Sequence, residues 1–338
     1  MPKSQEPIGE FDLIDHFFKA KQNANSGVFL GIGDDCAILN PSLDPNYGLA
    51  ISTDMLVEGR HFLRDANPKL LGHKCLAVNL SDLAAMGAKP LGFTLALAMP
   101  EVKPEWLSEF SAGLLNLANQ YDCTLIGGDT TAGPLTISIT VFGQIDRQKA
   151  LQRSKAEVGD EIWVSHEVGD ARLALGAIRQ EWPLSQDAQN LVEKRMHAPT
   201  PRVELGLELI GLAHAAIDIS DGLLGDLSHI LKQSKVGASI DMDRIPVSTT
   251  LNTQTAELRR LCALNGGDDY EICFTAPPSN HDAIERISEK LHLKLTPIGK
   301  IRSLTQNSDS LIELVDENGK ALSAELAKPY LNSFDHFK

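Results

Sequence analysis

The chain has 338 residues, room for about two domains at roughly 150 residues each. With 43% hydrophobic and 22% charged residues it falls in the globular range and outside the disordered one. A net charge of −14 argues against a broad electrostatic grip on nucleic acid or an anionic membrane.

In chain order, the amphipathic stretch Glu10–Lys21 predicts a short helix. Val28–Leu30 and Leu49–Ser52 predict strands, each running into acidic residues. Pro68 to Met86 predicts a mostly buried helix, with proline near its start and Gly87 past its end. Leu91–Ala98 reads as a strand, Pro104–Tyr121 as a helix with proline in its first turn, and Thr124–Ile126 as a strand. Leu135–Phe142 alternates Ile137, Ile139 and Val141 at the strand period of two. A polar segment, Gly143–Asp160, follows, and a domain boundary is expected near Asp146–Leu151, giving domains 1–148 and 149–338. Beyond it, strands are expected at Glu161–Val164, Ala216–Ile219, Ala238–Ile240, Glu271–Thr275, Lys294–Ile301 and Leu311–Val315. Helices are expected at Asp170–Ala177, Pro201–Ala213 and Leu223–Lys232, and a turn at Glu317-Asn318-Gly319. Strands and helices interleave in both halves, so the class is α/β or α+β.

The longest apolar stretch, Leu91 to Met99, falls far short of the roughly 20 residues of a membrane-spanning helix. The first residues lack the basic-then-apolar pattern of a signal peptide. Five cysteines without a Cys-x-x-Cys pair point to reduced thiols in a cytoplasm, not to a disulfide framework or a zinc site.

One pattern recurs: an apolar strand, a small residue, then aspartate. It appears at Leu30-Gly-Ile-Gly-Asp34-Asp35, Ile51-Ser-Thr-Asp54, Leu125-Ile-Gly-Gly-Asp129, Ile217-Asp218-Ile-Ser-Asp221 and Asn265-Gly-Gly-Asp268-Asp269, joined by Asn79-Leu-Ser-Asp82. Taken singly, each aspartate reads as a helix cap or an Asx turn, and each glycine as backbone freedom. If the strand ends converge, however, their carboxylates crowd: two unit charges 4 Å apart repel by about 4 kcal/mol at an effective dielectric of 20. Magnesium resolves such crowding through hard oxygen ligands and substrate phosphates, and the adjacent glycines let backbone N–H groups approach a phosphate. The set therefore points to a polyphosphate held through magnesium. A Walker loop, a complete dinucleotide fingerprint, a nucleophile elbow and a His-Glu-x-x-His helix are all absent from the sequence.

Together, Gly31-Ile-Gly-Asp-Asp35, Ser52-Thr-Asp54 followed by His61-Phe62, Ala77-Val-Asn-Leu-Ser-Asp-Leu-Ala-Ala-Met-Gly87, Gly127-Gly-Asp-Thr130, Asp218-Ile-Ser-Asp-Gly222 and Gly266-Gly-Asp-Asp-Tyr-Glu271 resemble the bacterial thiamine-monophosphate kinase family. That family sits in the superfamily of aminoimidazole ribonucleotide synthetase and selenophosphate synthetase. The resemblance implies an N-terminal α/β domain that pairs across a homodimer, a C-terminal α/β domain, and an active-site cleft. It implies ATP-dependent phosphorylation of thiamine monophosphate to thiamine diphosphate, with several Mg²⁺ ions and ATP as co-substrate. Carried over by position, Asp35, Ser52, Thr53, Asp54, Asp82, Asp129, Asp218 and Asp221 would ligate metal, with Asp54, Asp82 and Asp129 at the catalytic centre. Gly128, Asp129, Arg153 and Ser220 would contact ATP; His61, Asp268 and Phe334 would hold thiamine monophosphate. The family usually carries glutamate where this chain has Asp268, one methylene shorter. The rivals are a sister synthetase of the superfamily and a sensor that binds without turnover. Retention of all the metal aspartates opposes the sensor, and the absence of a cysteine before Cys36 opposes the selenophosphate branch.

Overall fold

Pro68 and Gly87 bracket the element on which the rest of the site is built. The computed structural model describes residues 28–30, 34–39, 46–304, 310–316, 319–327 and 330. The expected helix Glu10–Lys21, Gly31, Gly33, the Glu317-Asn318 pair and Phe334 lie outside the described residues. In the first half the strands are β1 (Val28–Leu30), β2 (Ala37–Leu39), β3 (Tyr47–Val57), β4 (Lys89–Met99), β5 (Thr124–Ala132) and β6 (Thr136–Asp146), with helices α1 (Pro68–Met86) and α2 (Pro104–Gln120). They form a six-stranded sheet in the order β1-β2-β3-β6-β4-β5. Strand β6 lies between β3 and β4, antiparallel to both, and β5 joins β4 in parallel through the α2 crossover. The expected alternation holds: Ile137, Ile139 and Val141 are fully buried.

The second half contributes β7 (Glu161–Ser165), β8 (Ala215–Asp218), β9 (Gly237–Asp241), β10 (Ile272–Ala276), β11 (Leu295–Arg302) and β12 (Ile312–Val315), in the order β12-β9-β11-β7-β10-β8. Around it lie α3 (Asp170–Ile178), α4 (Gln186–His197), α5 (Val203–Glu208), α6 (Leu223–Ser234), α7 (Ala256–Asn265) and α8 (His281–Leu291). Mixed α/β is therefore the class, in two sheets.

Helix α1 starts where Asn67 accepts a hydrogen bond from the Leu70 N–H with Pro68 in the first turn, and ends at Gly87, whose φ of 70° is left-handed. Fourteen of its 19 residues are buried, so it is apolar nearly all round, as a helix packed on every side must be. Strands β3 and β6 cover one side and α5 and β8 the other. On α2's side the backbones touch: a Cβ on Gly72 would sit 2.0 Å from the Phe110 carbonyl oxygen, and one on Gly113 1.8 Å from that of Lys69. Leu76 and Leu80 of α1 share one core with Phe93 of the first sheet and with Trp163 and Phe274 of the second. The helix is thus fixed between the sheets, and so are its few polar side chains.

Three expectations are corrected. Predicted helix Pro201–Ala213 shrinks to α5, followed by a turn at Gly211 with φ 79°. Helices α4, α7 and α8 form where no helix is expected from the sequence. Finally, Asp54 and Asp129 lie inside strands β3 and β5, not past their ends; backbone pairing with β6 and β4 carries both strands through the polar residues.

Candidate active site

Three carboxylates meet beside α1. Among the described residues, Asp35, Asp82 and Asp218 each bring an oxygen within 4.8 Å of the others. Asp35 lies between β1 and β2, Asp82 rides on α1 and Asp218 ends β8, so no local segment could have assembled them. Ser81 donates to Asp218 (2.8 Å), Ser52 of β3 donates to Asp82 (2.5 Å), and the Asn79 amide oxygen accepts from the Asp54 N–H (3.1 Å). The Asn-Leu-Ser-Asp stretch of α1 therefore ties together β3 on one side and β8 on the other. The amide nitrogen of Asn79 is satisfied by the Cys75 carbonyl, which lets a fully buried asparagine sit in an apolar helix.

The electrostatics are those of a site short of cations. Burial pushes Asp82 and Asp218 well above the usual carboxylate range; the charges of Asp54 and Asp35 push Asp82 further, and those of Asp82 and Asp35 push Asp218 further. Burial also lifts Asp54 to about 6, and Asp34 to about 6. The opposing charge comes from Arg153, whose guanidinium grips Asp35 in bidentate fashion at 2.7 and 3.0 Å. Burial works against that guanidinium's charge, but Asp35, Asp34 and Asp218 outweigh it and hold it firmly protonated.

A cavity of about 1010 Å³ opens beside the cluster, a size suited to a drug-sized ligand or larger. Thr53, Asp54, Asp82, Asp218, Ser220 and Asp221 are among its lining residues. His61, Lys74, Asp268 and Tyr270 line it too. His61 Nδ1 accepts from the Val57 N–H at 3.0 Å, leaving Nε2 as the ring's protonated donor when the imidazole is neutral. The Thr53 hydroxyl pairs with Thr140 on the neighbouring strand. Asp221 and Ser220 are shaped by a carboxylate that sequence reasoning does not single out: Asp226, in the first turn of α6, accepts the N–H groups of Ser220, Asp221 and Gly222 at 3.0–3.1 Å.

In both paired-aspartate motifs the two residues divide. Asp268 faces the cavity, whereas Asp269 accepts the Gly169 N–H at the start of α3. Asp35 joins the cluster, whereas Asp34 accepts the Arg153 N–H. Gly128 and Asp129 are not brought to the cluster. They lie on β5, exposed along its whole length at the sheet edge. In register, Asp54 faces Ile139, Ile139 faces Leu95 and Leu95 faces Gly128, three strand spacings or about 14 Å. Gly128 itself has φ 147° and its α-carbon presses on β4, where a Cβ would come 1.8 Å from the Leu95 carbonyl oxygen. Lys74, Asn79, Ser81 and Asp226 carry the signal of a polar residue inside an otherwise apolar helical run; that signal marks a buried partner but does not name it.

Comparison with known proteins follows the same outline. The family model for the AIR synthase related protein N-terminal domain matches residues 33–145, and that for its C-terminal domain matches residues 157–307. Thiamine-monophosphate kinase of Haemophilus influenzae is 43% identical over 98% of this chain and 98% of its own length. The crystal structure of thiamine-monophosphate kinase from Stenotrophomonas maltophilia K279a shares 44% identity, covering 88% of this chain and 93% of that one, with a TM-score of 0.76. A further solved structure, AaThiL complexed with AMPPCP and TMP, covers 98% and 97% of the two chains at 27% identity, with a TM-score of 0.79.

Proposed function

The chain belongs to the thiamine-monophosphate kinase family, built on the two AIR synthase related domains, and on that premise we propose how its cavity performs the reaction. It is an ATP-dependent kinase that phosphorylates thiamine monophosphate to thiamine diphosphate. The observation that carries the reading onto this chain's own residues is the convergence of Asp35, Asp82 and Asp218 beside a cavity large enough for both substrates.

An acceptor phosphate oxygen attacks the γ-phosphorus of ATP as the bond from that phosphorus to the β-bridging oxygen breaks, and ADP leaves. The acceptor is already largely ionised near neutral pH, so no strong base is required. Transfer is proposed as direct; a cysteine carrier is opposed by the burial of all five thiols, which pushes them up, and γ-labelled ATP with Mg²⁺ but no acceptor should leave the protein unlabelled. The donor set of carboxylates with the Ser52 hydroxyl consists of hard oxygens only and suits Mg²⁺; Asp35, Asp54, Asp82, Asp218 and Asp221 would hold it, with Ser52 and Thr53 beside them. Bound there, it supplies neutralisation of phosphate charge. Arg153 and Ser220 are proposed on the ATP side, His61 and Asp268 on the thiamine side.

We also propose a homodimer. Strand β5 ends the first sheet with Leu125 and Ile126 exposed, beside exposed Leu91 on β4, an edge that a second copy would cover. Gly128 and Asp129 would then work at the seam. Sedimentation should give about twice the chain's 36.7 kDa; a clean monomer rejects the pairing. Among the described residues no helix is long and apolar enough to cross a membrane, and a cytoplasmic setting fits the five free thiols.

The direct test is ADP release with ATP, Mg²⁺ and thiamine monophosphate; tight binding of the acceptor without ADP would reject the kinase in favour of a sensor. A second expectation concerns pH. Because Asp34 and Asp54 are lifted to about 6 and Asp82 and Asp218 are raised too, the metal-free folded state binds more protons than the unfolded one. This contribution to stability is complete below the unfolded carboxylate pKa of about 4 and is lost as pH climbs through about 6. In EDTA, Tm should fall between about pH 5 and about pH 8, and Mg²⁺ should raise Tm more at the higher pH, where no proton has to be displaced. Equal magnesium stabilisation at both ends of that range would reject the carboxylate cluster as the metal site.

A further inference from the structure

We infer that Lys74 receives the phosphate of the acceptor, a monoester dianion, and so sets the preference for a phosphorylated over an unphosphorylated acceptor; the inference rests on the kinase reading above. Among the described residues Lys74 is the one lysine counted with the buried polar side chains, at 5% exposure. It stands on α1 one and two turns before Val78 and Asp82, on the helix face that lines the cavity. Its Nζ lies 3.1 Å from Asp268 Oδ2, and the other oxygen of Asp268 accepts from the Tyr270 hydroxyl at 3.0 Å.

An ammonium carries three protons, and Asp268 takes one. A buried charge is stable when its remaining donors also find acceptors, and a phosphate entering the cavity supplies them. The same cavity is lined by Asp54, Asp82, Asp218 and Asp221, which repel a bare phosphate. The other cations nearby are otherwise engaged or remote. Arg153 is held by Asp35, and Arg172 is paired with Glu181 and stacked over Trp182 at 4.6 Å. Arg60 and Arg179 line the same cavity from exposed positions, where water screens them. Burial and then the Lys74 charge push His197 below the usual imidazole range, so it adds no positive charge near neutral pH. Lys74 is left as the desolvated cation on the acceptor's side, where a charge-assisted hydrogen bond is strongest.

A purely structural role would tie α1 to the loop that carries Asp268. The two roles separate when binding of thiamine monophosphate and of thiamine is measured by calorimetry, with Mg²⁺ and a non-hydrolysable ATP analogue present. In Lys74→Met, affinity for thiamine monophosphate should fall on the order of 10–100-fold, the usual worth of a hydrogen bond to a charged group, while affinity for thiamine stays within about threefold. Lys74→Arg should recover part of the loss. Adding Lys74→Met to an Asp268→Asn background should cost a similar factor, which excludes an effect transmitted only through Asp268. Equal losses for thiamine and its monophosphate, or no loss for either, would overturn the assignment. Wild-type protein that binds both compounds alike and releases no ADP would overturn the kinase reading, and this inference with it.

Discussion

Replacing Asp82 by asparagine lowers kcat by on the order of 10²–10³, or about 3–4 kcal/mol of transition-state stabilisation, the usual result of deleting one preorganised electrostatic group. Asparagine keeps the size and an oxygen that can still accept from Ser52. It removes the charge that, with Asp35 and Asp218, makes the site a trap for divalent cations. The position is rigid because Leu80 and Leu83 beside it are fully buried in a helix packed on both sides, so lost activity cannot be assigned to a loosened backbone. Stability moves the other way. Burial and the repulsion of Asp54 and Asp35 already hold the Asp82 carboxyl above its ordinary range, so Tm in EDTA should stay level or rise. Asp65, exposed in the turn before α1, is the control, and Asp65→Asn should leave kcat unchanged. Turnover within about threefold of wild type at saturating Mg²⁺ would mean that Asp82 is structural, because a charge removed from the reacting centre costs far more.

Arg202→Met should destabilise the fold by about 3–5 kcal/mol, since it strips the partner from a buried carboxylate. Arg202 chelates Glu271 through Nε and a terminal guanidinium nitrogen, and the Ser165 hydroxyl donates to the same oxygen, Oε2, that accepts from Nε. The side chains are 13% and 4% exposed. Burial raises Glu271 even with Arg202 present; without it the carboxyl rises further and takes a proton more readily. The loss should therefore be larger at about pH 8 than at about pH 5, where protonation relieves the stranded charge. Arg202→Met combined with Glu271→Leu should recover most of the stability, because removing a whole buried pair is nearly neutral. Glu271 ends the loop that carries Asp268 and Tyr270, so the single variant should also raise KM for thiamine monophosphate. Denaturant midpoints of the three proteins decide the matter: a single variant within about 1 kcal/mol of wild type would show that the pair is not stabilising.

Helix α1 is legible to its ends, because a proline in the first turn and a glycine just past the last turn act within a few residues of the chain. So was β6, whose alternation needs nothing beyond its own side chains and a covered face. Helix α8 carried a readable signal in Ile284, Ile287 and Leu291, spaced three and four apart. The break in the expected 201–213 helix was not readable in the same way. The helix stops at Glu208 and the chain turns at Gly211, whose φ of 79° is left-handed, while Gly206 inside α5 allows close packing on α1, where a Cβ would stand 2.0 Å from the Ala84 carbonyl oxygen.

By itself the sequence determined the class of the fold, the family, and the list of aspartates available for metal and phosphate work, since each of these is written in short contiguous motifs. Only the tertiary structure decided what the other aspartate of each pair does: Asp34 accepts the Arg153 N–H, and Asp269 holds a helix start while Asp268 meets Lys74; it also decided that Asp129 stands on an exposed edge three strands from Asp54. Lys74 and Asp268 are 194 positions apart, and Ser81 and Asp218 are 137 apart. Contacts of that span come from two sheets burying one helix between them, and local propensity carries no term for a partner on another element.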